Sequence, residues 1–160
     1  SNVLITTVIG FPLGANTTDS KVYEAKDALS KGADEFDMVV NIGLLKAGDL
    51  NYVQDEIMAI YNQVKPNVLK VIIETCYLSK EEIIAMTKMC ENIGVDFIKT
   101  STGFGTGGAT VEDVSLMSSH IKGSLKIKAS GGIKSHDQAL AMIKAGAHRL
   151  GASRVDIINE

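Results

Sequence analysis

Gly94-Val95-Asp96-Phe97-Ile98-Lys99-Thr100-Ser101-Thr102-Gly103 holds three structural signals in one stretch. Glycine permits the left-handed conformation that closes a helix. Val95 to Thr100 then reads as a short apolar strand, and Ser101, Thr102 and Gly103 end it in small residues suited to a turn. The same helix-to-strand junction recurs at Gly32-Ala33-Asp34 and Gly146-Ala147-His148. This weak internal repeat predicts a chain that alternates helices with strands.

The remaining segments fit that alternation. Leu4 to Ile9 reads as a β-branched strand leading into a Gly10–Gly14 loop, and Thr18 or Asp19 caps a helix to about Ser30. Glu35 to Val40 is the next strand, followed by a loop from Gly43 to Gly48. A helix from about Asn51 to Val64 ends before Pro66, and Leu69 to Glu74 is a third strand. Ser79 with Glu82 forms a capping box for a helix to about Asn92. After the central strand comes a glycine-rich loop, Gly103 to Gly108, then a helix started by Thr110 and running to about Ile121. Leu125 to Ser130, a helix capped by Ser135 and running to Lys144, a strand at His148 to Gly151, and the beginning of a last helix at Ser153 complete the chain.

Six strands alternating with helices imply a parallel sheet with right-handed crossovers, either doubly wound or a (β/α)₈ barrel. Strand parity separates the two. Glu35 and Asp37 share a face, as do Lys70 and Glu74, Lys99 and Ser101, and Lys126, Lys128 and Ser130. A doubly wound sheet covers both faces with helices, whereas a barrel interior lets inward charges pair. Glu35, Lys70 and Lys126 are expected in a deep layer. Asp37, Glu74, Lys99 and Lys128 are expected near the C-terminal mouth, where barrel enzymes hold their chemistry. The barrel is therefore the expected fold.

Composition limits the function classes. The 160 residues suit one domain, residues 1–160, with 45% hydrophobic and 22% charged residues. Net charge is −3 and the 16 basic residues form no run, which argues against nucleic acid as a partner. No apolar stretch approaches the roughly 20 residues of a membrane span. The start, Ser1-Asn2-Val3-Leu4, lacks a charged region before a long apolar core, so no secretory signal is expected. Cys76 and Cys90 form no ligand motif and His120, His136 and His148 are scattered, so free thiols and no metal are expected.

Lys99 is the chemical focus. A charged lysine in an apolar strand is costly, and desolvation and a nearby cation both lower a lysine pKa. The neutral amine is a nucleophile that forms a Schiff base with a carbonyl. Lys128 lies one βα unit on, at similar depth on the adjacent strand if both point inward, and is placed to be that cation. Asp37 is placed as a general acid/base, or as a buried partner for Lys70 or Lys126. Two lysines and a carboxylate suit carbanion chemistry through an imine without a metal. Gly103, Gly131, Gly132 and Gly151 follow the last three strands, where backbone amides and helix N-termini favour phosphate. Lys134 and Ser153 are further donors. The same glycines also suit plain tight turns.

These residues resemble the deoxyribose-phosphate aldolase family of class I aldolases. The resemblance rests on Val8-Ile9-Gly10-Phe11-Pro12-Leu13-Gly14, Gly32 to Val39, Lys70-Val71-Ile72-Ile73-Glu74-Thr75, Asp96 to Gly103, Lys128-Ala129-Ser130-Gly131-Gly132 and Gly151-Ala152-Ser153. It implies a (β/α)₈ barrel that cleaves 2-deoxy-D-ribose 5-phosphate to acetaldehyde and D-glyceraldehyde 3-phosphate. By the same resemblance Lys99 forms the Schiff base, Lys128 tunes it and assists proton transfer, and Asp37 joins the relay. Phosphate would rest on Gly103, Gly131, Gly132, Lys134, Gly151 and Ser153, with Thr102 as a further pocket residue. No cofactor is implied. The setting would be deoxynucleoside catabolism in the cytoplasm, with a phosphorylated sugar as the small-molecule partner and a homo-oligomer left open. The family has eight strands and this chain supplies six, so two βα units at the N-terminus and a C-terminal tail ending in tyrosine are expected to be absent. The other readings are a noncatalytic or split barrel fragment that needs a partner chain, and a transaldolase-like class I aldolase.

Overall fold

The computed structural model describes residues 3–154. They fall into two compact units, Ser1–Ile72 and Ile73–Glu160.

In the first unit the order is β1 (Thr6–Ile9), α1 (Thr18–Ser30), β2 (Glu35–Val39), α2 (Ile42–Lys46), α3 (Leu50–Val64) and β3 (Val68–Ile72). The strands are parallel, with β2 between β1 and β3. Asp37 is in register with Val8 on one side and Lys70 on the other. All five residues of β2 are buried, so charged and apolar residues alternate in a strand closed on both faces. Phe36 and Met38 contribute the apolar side, each burial stabilising by roughly 1.5–3 kcal/mol. On the other side Lys70 Nζ reaches Glu35 Oε2 at 2.6 Å and Asp37 Oδ1 at 2.9 Å. The expected deep pairing of Glu35 with Lys70 is present, and the same lysine also holds Asp37.

Two readings in this unit are corrected. The stretch from Gly43 to Gly48, expected to be a loop, is helical through Lys46 as part of the short helix α2. Asn41 caps it by accepting from Leu44 N–H at 3.1 Å, and Leu45 is buried beneath it. Gly43 is carried inside the helix because a cap and one apolar anchor outweigh its poor propensity. The cap of α1 is Thr17, whose hydroxyl accepts from Ser20 N–H at 3.3 Å, one residue earlier than read. Helix α3 buries Val53, Ile57, Ile60 and Val64, the three-and-four spacing of one helical face, and packs against α1.

The second unit begins with a 3₁₀ turn (Thr75–Tyr77) and continues with α4 (Lys80–Ile93), β4 (Phe97–Lys99), α5 (Val111–His120), β5 (Lys126–Ser130), α6 (His136–Ala145) and β6 (Arg149–Gly151). Its strands are also parallel, in the order β4, β5, β6. The capping box forms as read: Ser79 N–H donates to Glu82 Oε2 at 2.7 Å, and Glu82 N–H donates to Ser79 Oγ at 3.2 Å. Thr110 and Ser135 cap α5 and α6. Gly94 and Gly146 end α4 and α6 in the left-handed conformation. Lys126, expected in the deep layer, is exposed instead, with its ammonium 5.7 Å from the centre of the Phe97 ring. Its stem covers apolar surface while its charge stays in water. The third strand, read to Glu74, ends at Ile72; Ile73 N–H still donates to the Lys99 carbonyl at 3.1 Å, and Glu74 then turns left-handed (φ 52°, ψ 68°). The helix expected from Ser153 onward falls largely outside the described residues.

Candidate active site

The C-terminal ends of β4, β5 and β6 open into a cleft of about 430 Å³. It is lined by Lys99, Thr102, Gly103, Lys128, Ser130, Gly131, Gly132, Ile133, Lys134, Gly151, Ala152 and Ser153. Nine of the ten residues singled out from the sequence line this cleft. The tenth, Asp37, belongs to the first unit, where it is buried and bonded to Lys70. Ser130, Ile133 and Ala152 also line it and were not singled out as site residues from the sequence. Ser130 carried a signal, since it shares the parity of Lys128 and stands directly before Gly131.

Lys99 and Lys128 are register partners on adjacent parallel strands, which run about 4.8 Å apart. Lys99 is 8% exposed, so its amine reaches the cleft from a buried stem. The strand ends are locked together around it. Thr100 N–H donates to the Lys128 carbonyl at 3.1 Å. Thr100 Oγ1 donates to the Ser130 carbonyl and accepts from Ser130 N–H, both at 3.1 Å. Ser130 Oγ donates to the Ser101 carbonyl at 2.7 Å. Hydroxyls thus satisfy backbone groups where the ladder ends, and the small residues after Lys99 have a structural use.

Two glycines are required by close approach. A Cβ on Gly108 would lie 2.2 Å from the Gly131 carbonyl oxygen, so the loop after β4 can cross the end of β5 only with glycine there. That crossing is held by Ala109 N–H, which donates to the carbonyls of Ser130 and Gly131, each at 3.0 Å. A Cβ on Gly151 would lie 2.8 Å from the Ser130 Cβ and 3.5 Å from the Lys128 Cε. Glycine at 151 is therefore required by the Ser130 side chain, while the Lys128 Cε passes at ordinary contact distance.

Thr102 is the residue whose part differs from expectation. It lines the cleft, but its hydroxyl donates to Glu74 Oε2 and its N–H donates to Glu74 Oε1 at 3.0 Å. The same hydroxyl accepts from Phe104 N–H at 3.0 Å. Glu74 is 2% exposed and is the one non-glycine residue with positive φ among those described. A left-handed glutamate costs on the order of 1–2 kcal/mol, and here it aims the carboxylate at the loop.

The cleft therefore combines two facing lysines with a third at Lys134 and a rim of glycines, a surface suited to an anionic carbonyl compound. Comparison with known proteins bears directly on this chemistry. Residues 4–155 match the model of the DeoC/LacD family aldolases. The chain belongs to the DeoC/LacD aldolase family. It is 54% identical over 164 residues to the deoxyribose-phosphate aldolase of Caldanaerobacter subterraneus subsp. tengcongensis, covering 100% of this chain and 71% of that protein. Among solved structures it resembles the aldolase QR15 at a TM-score of 0.92 and 46% identity, over 96% of this chain and 69% of the other. It also resembles the deoxyribose phosphate aldolase of Aeropyrum pernix, described as a unique tetrameric structure, at a TM-score of 0.88 and 32% identity, over 98% of this chain and 66% of the other. The fold is of the (β/α)₈-barrel class, of which this chain supplies about six βα units, and the doubly wound alternative is set aside. As a DeoC/LacD aldolase the chain is a lyase. Among the described residues no cluster of His, Cys, Asp and Glu is arranged to hold a metal ion, and no helix is long and apolar enough to cross a membrane.

Proposed function

We propose that the chain acts on 2-deoxy-D-ribose 5-phosphate, cleaving it to acetaldehyde and D-glyceraldehyde 3-phosphate through an imine on Lys99. The observation that carries this reading is the single cleft that joins the paired Lys99 and Lys128 to the glycine rim of Gly103, Gly131, Gly132 and Gly151. Lys99 Nζ attacks the C1 aldehyde of the open-chain sugar, and loss of water leaves a protonated imine. The C3 hydroxyl gives up its proton, the C2–C3 bond breaks, and its electron pair flows into the imine to form an enamine. D-Glyceraldehyde 3-phosphate leaves. The enamine takes a proton at C2, and water releases acetaldehyde and restores the amine. Lys128, the register partner of Lys99 on the adjacent strand, serves the proton transfers. The family resemblance alone assigns Asp37 to the relay; its carboxylate here is bonded to Lys70. The phosphate rests on the glycine rim with Lys134 and Ser153, anchoring the substrate while C1 reacts.

This reading treats residues 1–160 as one barrel-type domain working in deoxynucleoside catabolism in the cytoplasm. A homo-oligomer accords with the tetramer described for the Aeropyrum pernix relative. Borohydride reduction in the presence of acetaldehyde should leave an ethyl group on Lys99, found by peptide mass mapping. Absence of an adduct on folded protein, or its appearance on another lysine, refutes the mechanism. Lys128→Leu should slow turnover at least about tenfold while the protein stays folded, a threshold below the usual general acid–base contribution, and an unchanged rate removes Lys128 from its role.

A further inference from the structure

The carboxylate of Glu74 is buried beside the proposed phosphate cradle, where a negative charge is unfavourable to the ligand, and no step of the aldol chemistry uses it. Its placement is nevertheless built in detail. The left-handed backbone at Glu74 swings the side chain under the loop that follows β4. Both oxygens are engaged by Thr102, one by the amide and one by the hydroxyl. The hydroxyl then holds Phe104 N–H at 3.0 Å. At Gly105 the loop presses onto the same group: a Cβ there would lie 2.8 Å from Cys76 Sγ and 3.2 Å from the Glu74 carboxyl carbon. One buried carboxylate thus bonds the turn at Thr102 and lies close against it at Gly105, and Gly103 lies between them on the wall of the cleft.

We propose that Glu74 is a positioning residue for the anion cradle, fixing the turn from Thr102 to Gly105 so that its Gly103 end is preformed to receive a phosphate monoester. The proposal rests on the phosphate-binding reading of the cleft. Preformed amides bind without first having to be ordered, so the clamp acts on affinity. The sign of the effect is diagnostic. If Glu74 acted only through its charge, neutralising it would tighten anion binding. If it acts by position, neutralising it loosens binding, because a carboxamide offers one acceptor oxygen in place of two and can meet the Thr102 hydroxyl only as a donor, without charge assistance and in competition with Phe104 N–H.

The test uses inorganic phosphate as the probe in isothermal titration calorimetry, alongside borohydride trapping of Lys99 with acetaldehyde, which carries no phosphate. Glu74→Gln is expected to weaken phosphate binding about tenfold, the loss of one charge-assisted hydrogen bond, while trapping stays within about twofold of the parent. Thr102→Val should weaken phosphate similarly, and the double variant should be no worse than the poorer single one, since both cut the same link. Phosphate affinity that is unchanged or tighter in Glu74→Gln overturns the proposal. So does trapping that falls in step with affinity, which marks a general loss of structure. If Glu74→Gln does not fold, Thr102→Val decides alone, and unaltered phosphate affinity there is a refutation. Failure of the parent protein to bind phosphate removes the cleft reading and this inference together, whereas parent binding with unaffected variants removes only the inference.

Discussion

Lys21→Met should destabilise the protein by about 3–5 kcal/mol, the usual effect of removing one member of a buried ion pair. Lys21 and Glu56 are both fully buried, 2.7 Å apart. The lysine also donates to the carbonyls of Gly14 and Val39, each at 2.8 Å, so all three of its protons are used. Glu56 accepts in addition from Asn41 N–H at 3.0 Å. The pair ties the loop after β1 to the end of β2. Burial pulls the Lys21 ammonium below its ordinary value of 10.5 and pushes the Glu56 carboxyl above 4.5, each opposed by the partner's charge. Methionine fills the space of the stem but leaves a carboxylate without its cation and two carbonyls without a donor. Each orphaned carbonyl costs roughly 1–3 kcal/mol where no water reaches it, which favours the upper end of the range. Against a typical total of about 5–15 kcal/mol the loss is large, and it should lower the melting temperature by roughly 6–20 °C for a chain of this size.

Urea unfolding followed by circular dichroism measures the loss, and pH supplies a second check. In the variant only the Asn41 amide still opposes desolvation of Glu56, so its folded pKa rises further above 4.5. A raised carboxyl contributes fully below its unfolded pKa and loses that contribution as pH climbs through the folded one. The deficit should therefore be smallest near pH 4.5 and grow toward neutrality. Lys21→Met/Glu56→Leu should recover most of it, because an apolar pair of similar volume is often close to neutral. A deficit under about 1 kcal/mol, or one that does not grow with pH, refutes the reasoning.

Burial pushes the Cys90 thiol up from 9.0 to about 12. Native stability should then fall as pH rises from 9 toward 12, by up to about 1.4 kcal/mol per pH unit; Cys90→Ala should lack this component in parallel urea titrations. Alkylation of native protein should label the half-buried Cys76 and reach Cys90 only on unfolding, as read by mass spectrometry. Gly108→Ala should cost about 1–3 kcal/mol in urea unfolding and weaken phosphate binding, because the new Cβ would meet the Gly131 carbonyl. Ser79→Ala removes the hydroxyl of the α4 capping box and should cost about 1 kcal/mol by the same measurement.

Most of the site was legible because its residues sit at strand ends and repeat with the βα period. Lys99 and Lys128 are one unit apart, so parallel pairing brings them into register. The glycines follow the same strands, and the same cleft collects them. Caps such as Ser79, Thr110 and Ser135 were legible for a related reason, since a cap and its partner lie three residues apart and need no other part of the chain. Reading failed where two distant segments decide the outcome. Lys126 shares the parity of Lys128, yet Phe97 on the neighbouring strand offers it a ring and water lies beyond. Gly43 signalled a break, but Asn41 and the burial of Leu45 carried the helix through it.

By itself, then, the sequence determined the alternation of strands and helices, the cleft's lysines and glycines, and the family, because these depend on local propensity and on a regular repeat. Only the tertiary structure decided what the buried charges do. Lys21 meets Glu56, Glu74 turns out of its strand to hold Thr102, and of the partners the sequence left open for Asp37 the fold selects Lys70 and not Lys126. A charge withdrawn from water must be matched by whatever the fold brings within about 3 Å of it, and that neighbour is set by packing rather than by position along the chain.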